Sequence, residues 1–448
     1  MAIGNVTKQY VSSTAFLDQR EILNKVLDVT NEQYNFLDVM EIMKRSVPTA
    51  VPTYRHFINE ELYGQLKASG SGATSAANVT TLSALTNGGS NSVENVRVGD
   101  QVMDSDGNQA LVTAVDRTAN TITTADIDAN WGVSNNEVFF VFSNAQGEGS
   151  DSPEALKYNL SARQNQVQIF KNKYEITDIQ KTSKVEVSYG GGEFYMYKGQ
   201  HDALMRFRND ISFAMMFGQG TSTGTGASQI DSFAATTPAL TDSAGRPVST
   251  TNGLHNEIIS HGVNLTSTAL NADLALTDFA TFSQTFATER FEDEYLIFCG
   301  IEGKIQLDDM IKGLGSSGAM DGVRFMHGAK EFDFNVDRFS LYGRTYNVVY
   351  MPMLDHPQVT ANTTFAKNLY FVPLGKQKVG HGGELVDRIR TRFMTGDGTD
   401  LKYREILTGG LAPTPTNGKS VLEINYSSVQ GLEVLGADKF AVATVHTS

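Results

Sequence analysis

Apolar residues fall at helical intervals in a few stretches of this chain and alternate with polar residues in most of the others. In REILNKVLDVTNEQYNFLDVMEIMKRS, Ile22, Val26, Leu27, Phe36, Val39 and Met43 recur at near-helical spacing, which predicts short helices before Pro48 and Pro52. In EFYMYKGQHDALMRFRNDISFAMMFGQG, one stripe is formed by Phe194, Tyr197, His201, Leu204, Phe207, Ile211 and Met215. That stripe predicts a helix over about 193–218, roughly 37 Å long at about 1.5 Å per residue. LTDFATFSQTFATERF predicts another, with Phe279, Phe282 and Phe286 on one face and Thr277 as its N-cap. IEGKIQLDDMI predicts one more.

Period-two patterns predict the strands. EYLIFCG reads as a buried strand, FDFNVDRFSLYGRTYNVVYMPML as a hairpin turning at Gly343, and NLYFVPLG as a further strand. KSVLEINYSSVQGLEV and KFAVATV close the chain. Earlier, VRVGDQVM, ALVTAV, TITTADI and EVFFVF give a small β module of about five short strands over 76–149, shaped as a barrel or sandwich. Extended segments flank it: TYRHFINEELY before and QVQIFKNKYEI after. Their alternation predicts that they pair as a long hairpin carrying the module at its tip, with a bulge or twist near Ile169, where the apolar phase changes. Helices followed by runs of strands make the chain α+β.

The 448 residues exceed what one core of roughly 250–300 residues holds, so two or three subdomains are expected. The net charge of −14 opposes a general grip on phosphate backbones. Half of that charge is local: residues 71–150 hold nine acidic and two basic residues. Neither a signal peptide pattern nor an apolar run of roughly 18 residues is visible, which sets the expectation of a protein kept in the cytosol and away from membranes.

Reaction chemistry is hard to find. Gly220-Thr-Ser222-Thr-Gly224 fits G-x-S-x-G, but a helix precedes it and a loop follows, the reverse of a nucleophile elbow. Asp104-Ser-Asp106-Gly107-Asn108 lacks the later ligands of a calcium loop and reads as a β-turn. The eight histidines are scattered without metal-ligand spacing, and Cys299 sits in an apolar run as a packing thiol. GHGGELVD and GQGTSTGTG are glycine-rich loops outside any βαβ context, so no cofactor is expected. Arg388, Arg390 and Arg392 in DRIRTRF alternate as strand neighbours would, a small basic face suited to phosphate or to acidic residues of a partner.

One stretch remains to be explained: NLSARQNQVQIFKNKYEIT, followed by the long helical stripe. This combination resembles the major capsid proteins of tailed double-stranded DNA phages with the Hong Kong ninety-seven fold, in the subgroup where R-x-N-x-x-Q-I-F precedes the long helix. Arg163, Asn165, Gln168, Ile169 and Phe170 stand at those positions. The resemblance implies an N-terminal arm (1–50), an E-loop hairpin (51–75 and 150–182) and an inserted acidic β module (76–149), which departs from the simplest family pattern. It further implies a peripheral domain (183–275 and 401–448) with its spine helix at 193–218, and an axial domain (276–400).

The function implied is a non-enzymatic head protein that self-assembles into hexamers and pentamers, forming an icosahedral shell around phage DNA. The implied localisation is the virion, after assembly in the host bacterial cytoplasm. Implied partners are other copies, a portal, decoration or neighbouring head proteins, and DNA through weak non-specific contacts. A separate scaffolding protein is expected, because no long helical prodomain precedes the arm. Arg163, Asn165, Gln168, Ile169 and Phe170, with the three arginines, are the expected inter-subunit contacts: strand amides can donate across an interface while the apolar face is buried. Another virion protein, of the tail or a decoration, and a hydrolase using Ser222 are the competing readings.

Overall fold

The computed structural model describes residues 35–59, 65–69, 79–83, 93, 96–128, 130–134, 137–155, 160–182, 188–189, 192–220, 240–265, 274, 276–288, 292–316, 338–356, 365, 367–379 and 383–444. The chain divides into two units. One holds 169–211 and 399–429 among the described residues, and the other holds the rest. Ser222, most of the arm and the loop after Ser316 lie outside the described residues.

The larger unit is organised by a mixed six-stranded sheet. Its strand order is Val263–Asn264, Ala441–Thr444, Asn368–Pro373, Glu294–Cys299, Arg344–Tyr350 and Arg338–Leu341. Glu294–Cys299 pairs parallel with Arg344–Tyr350 and antiparallel with Asn368–Pro373. Central strands covered on both faces must be apolar throughout. Accordingly Tyr295 to Cys299 and all of Asn368 to Pro373 are buried. Phe279, Phe282 and Phe286 of the helix Leu276–Thr288 pack on Tyr295, Tyr346 and Phe371, with ring centroids 5.4–6.2 Å apart. Such tilted and stacked pairs add to plain area burial. The hairpin between Arg338–Leu341 and Arg344–Tyr350 turns at Tyr342 and Gly343, with φ of 50° and 80°. Positive φ at both central residues matches the twist of the strands, and a glycine there costs no strain.

A closed antiparallel barrel forms from Gln65–Ala68, Val79–Ser83, Thr121–Asp126, Gln109–Asp116, Asp100–Met103 and Val138–Asn144, in that order around the ring. Its interior is filled by Leu66, Val102, Ala110, Val112, Ile122, Trp131 and Phe139, among others. The Trp131 indole N–H donates to Thr124 Oγ1 at 3.0 Å, so a buried polar atom is satisfied. In the chain the barrel is inserted between Thr53–Asn59 and Leu160–Gln166, which pair antiparallel as a two-stranded ribbon from Thr53↔Gln166 to Asn59↔Leu160.

The smaller unit contains most of the strand Gln168–Thr177, the helix Phe194–Phe217 up to Ile211, and Arg404–Gly409 paired antiparallel with Val421–Val434. Phe207 stacks on Tyr426 at 6.0 Å, and Asn172 Nδ2 donates to Ala203 O at 2.9 Å. A Cβ at Gly199 would lie 2.5 Å from the Tyr174 ring, so only glycine lets helix and strand approach this closely.

The structure corrects several expectations from sequence. The ribbon partner of Thr53–Asn59 is LSARQNQ, not QVQIFKNKYEI. The phase change falls at Gln166 and Val167, consecutive and both buried, while Ile169 is 48% exposed. The Val167 N–H donates to Pro52 O at 2.9 Å, which holds the break between the two strands. The barrel has six strands and begins at Gln65, inside the segment expected to be hairpin. Thr277 lies within the first turn of a helix that starts at Leu276, so it is not the N-cap. Ala441–Thr444 lies between Val263–Asn264 and Asn368–Pro373, so strands from both expected domain spans share one sheet. Four apolar or small residues specify a buried strand but not which sheet receives it.

Candidate assembly site at the base of the ribbon

Of the five motif residues, four are engaged by their own chain. Asn165 Nδ2 donates to Asn252 O at 2.9 Å and to Leu432 O at 2.6 Å, while its Oδ1 accepts the Asn252 N–H at 2.9 Å. One amide thus ties the ribbon's last turn to the loop before the helix Leu254–His261 and to the strand Val421–Val434. Beside it Gln166, 2% exposed, donates to Thr250 O at 3.0 Å. Gln168 Oε1 accepts the Thr251 N–H at 3.2 Å. Phe170 is 6% exposed, and the Arg163 guanidinium lies 3.9 Å from Asp438. Only Ile169 keeps substantial apolar exposure. Within the subunit these amides complete backbone groups that burial would otherwise leave unpaired.

The arginines are likewise not a free basic face. Arg390 Nε and Arg392 Nε both donate to Glu433 Oε2, the second at 2.6 Å, and Arg392 Nη2 reaches Oε1 at 3.3 Å. Glu433 is 3% exposed. Burial raises its proton affinity, but the two guanidinium hydrogen bonds outweigh this and hold the carboxyl below its ordinary range. Arg388, 2% exposed, pairs with Glu292, which also receives Lys439 Nζ at 3.2 Å. With Glu433 directly opposite Arg390 on the adjacent strand and Glu292 beside Arg388, the alternating arginines are paired within the subunit.

Residues that carried no motif complete the site. Tyr54 Oη donates to Leu432 O at 2.6 Å, and the Arg392 guanidinium sits 5.9 Å from the Tyr54 ring centre. A Cβ on Gly431 would come within 2.7 Å of both Gln166 O and Tyr54 Oη, so this strand approaches the ribbon only through a glycine. Asn252 donates to Glu257, whose carboxyl is pushed up by burial against the weaker opposing effects of that bond and of Arg163. His56 stands opposite Arg163 in the ribbon. Burial, then Arg163 and then His56, drive the nearby His261 down to about 4. A charged residue within the apolar run VQGLEV was the available sign for Glu433; Tyr54, Asn252 and Glu257 gave none.

Among the described residues no group of three or more His, Cys, Asp or Glu is placed to hold a metal. Burial pushes the Cys299 thiol up to about 12, so it stays protonated and a poor nucleophile. Among the described residues, no helix is long and apolar enough to cross a membrane.

Comparison with known proteins supplies the remaining step. The family model described as SU10 major capsid protein matches residues 5–379. No curated protein matches. Among solved structures, one described as Gordonia phage Cozz is 10% identical, covering 100% of this chain and 98% of its own, with a TM-score of 0.44. One described as Microbacterium phage Oxtober96 is 11% identical over 99% and 100%, with a TM-score of 0.42. The capsid of a native GTA particle is 9% identical over 99% and 100%, at 0.39. A family match across most of the length, on an α+β chain with an inserted barrel, means that the chain belongs to the SU10 major capsid protein family and is a structural protein of the phage head shell.

Proposed function

We propose that this protein acts without catalysis, closing hexamers and pentamers of itself into an icosahedral shell around double-stranded DNA. The observation that carries the reading is the ribbon Thr53–Asn59/Leu160–Gln166. A two-stranded ribbon is marginal in water by itself, and this one turns Arg55 and Phe57 outward, Phe57 being 68% exposed. A neighbouring copy that receives Phe57 supplies the missing cover. The motif then works from below: Asn165, Gln166 and Gln168 set the angle at which the ribbon leaves the sheet, and Ile169 offers apolar surface beside it. Arg163, paired with Asp438, and Arg390 and Arg392, paired with Glu433, brace the same base. Many modest contacts of this type give a closed shell its stability.

Assembly takes place in the host bacterial cytoplasm, with a scaffolding protein, a portal and further head proteins as partners, and DNA held by weak non-specific contacts suited to a chain of net charge −14. The test is Phe57→Lys in the full chain, expressed with the neighbouring head genes and read by size-exclusion chromatography and negative-stain microscopy. Wild-type chain is expected to give shells, and the variant soluble subunits with an unchanged melting temperature. Variant shells formed as readily as wild type would reject the ribbon as the contact, and a wild-type chain that stays monomeric alongside its head genes would reject the shell.

A further inference from the structure

A closed barrel has no free edges, and its inward residues already fill the interior, so alternation calls for polar residues outside. Most of the wall obeys: Thr121 and Thr123 face out from Thr121–Asp126. Val138–Asn144 does not. Phe139 points inward and is fully buried, while Val138, Phe140 and Phe142 point outward and are 39%, 43% and 40% exposed. Phe140 stands directly opposite Met103 on the adjacent strand, and Leu111 stands opposite Gln101 one strand further on. Both Met103 and Leu111 are half-buried on the outer face. The outer wall therefore carries an apolar patch of Val138, Phe140, Phe142 and Met103 on two strands, with Leu111 diagonal to Met103 on a third.

Charge identifies what would cover it. Residues 65–150, the span of the barrel, hold nine acids against three bases: Lys67, opposite Val138, and the paired Arg97 (with Asp100) and Arg117 (with Glu154). Carboxylates border the stripe at its Val138 end. Glu137 accepts Ser105 Oγ at 2.6 Å and the Ser134 N–H at 2.6 Å, and Asp106 is exposed in the turn that follows Met103. These hydrogen bonds outweigh burial and hold the Glu137 carboxyl below its ordinary range. A second barrel, nucleic acid or an anionic lipid surface would each bring like charge against this border. An opposite charge gains both terms, steering from the carboxylates and burial of the aromatic stripe.

We propose that Val138, Phe140, Phe142 and Met103 form the docking surface for a basic polypeptide other than this chain, which inserts an apolar side chain against Phe140 and sets its cations on Glu137 and Asp106. The proposal rests on the head-shell reading. It is tested in purified heads made from the full chain carrying Phe140→p-benzoylphenylalanine, with Thr123→p-benzoylphenylalanine as the outward-facing control. Irradiation is expected to give an adduct from position 140 alone, to a chain that mass spectrometry identifies as net positive, and F140D/F142D heads are expected to carry at least tenfold less of it. An adduct to a second copy, to an acidic chain or to nothing overturns the proposal, as does undiminished occupancy on F140D/F142D heads. Heads that form and do not cross-link reject the stripe while leaving the shell intact; failure of wild-type chain to form heads rejects the underlying reading.

Discussion

Glu433→Ala removes one buried carboxylate and leaves two guanidinium groups facing each other. Arg390 and Arg392 have side chains 16% and 17% exposed, and Glu433 is their shared acceptor. Deleting one partner of a buried ion pair costs about 3–5 kcal/mol, most of it from the stranded charge. The partial exposure of the arginines places the expected loss toward the lower end. Unfolding entropy scales at about 2.1 cal/mol/K per residue, and the unit that contains this triad has roughly 340 residues. About 0.7 kcal/mol then corresponds to one degree, and the loss to a fall in Tm of about 4–5 °C. Scanning calorimetry of the unassembled chain reads it.

The companion variant R390M/R392L/E433L separates ionic from steric causes. Replacing a whole buried triad by apolar residues of similar size is about neutral, so its Tm is expected to stay near wild type. The carboxyl of Glu433 lies below its unfolded range, so its contribution is fully present above about pH 4.3 and is lost as pH falls through the folded value. Between pH 7 and pH 3 the gap between wild type and E433A is therefore expected to narrow. A single variant within one degree of wild type, or a gap that widens in acid, refutes the argument.

Two further outcomes test the same base. Asn165→Ala unpairs the Asn252 carbonyl and N–H, while Leu432 O keeps its bond from Tyr54 Oη; at about 1–3 kcal/mol for each buried group left unsatisfied, faster hydrogen exchange at Asn252 and a stability loss of at least about 2 kcal/mol are expected. His261 is held neutral down to about 4 by burial, Arg163 and His56, so its contribution is complete above the unfolded value of about 6.5 and vanishes as pH falls through 4. His261→Gln is expected to move the acid-unfolding midpoint, followed by near-ultraviolet circular dichroism, to lower pH.

Local pattern made the elements legible, and long-range pairing stayed hidden. The stripe of the long helix was visible because 3.6-residue spacing is written into consecutive residues, although Leu204, on that stripe, is 38% exposed. The period-two runs likewise marked Glu294–Cys299 and Asn368–Pro373. Partner choice is different in kind. QVQIFKNKYEI and LSARQNQ alternate equally well, and only the buried pair Gln166 and Val167 decides which of them faces Thr53–Asn59. The same limit governed the arginines: Arg390 and Arg392 were visible as an alternating pair, but Glu433 lies 41 positions away and its strand register is set by backbone pairing.

The polarity of the motif follows from that pairing. The two-stranded ribbon leads from this base into the barrel, so looseness at the base is passed on along the chain. Hydrophobic contact alone is non-directional and tolerates small rotations. Hydrogen bonds with fixed donors and acceptors do not, since they weaken steeply once bent. Placing Asn165, Gln166, Gln168 and Tyr54 at the base, each bonded to backbone of another segment, makes the exit angle of the ribbon a property of each subunit before it meets a neighbour. Phe57 then needs to supply only affinity. Substitutions at Asn165 are therefore expected to alter shell geometry where those at Phe57 abolish shells.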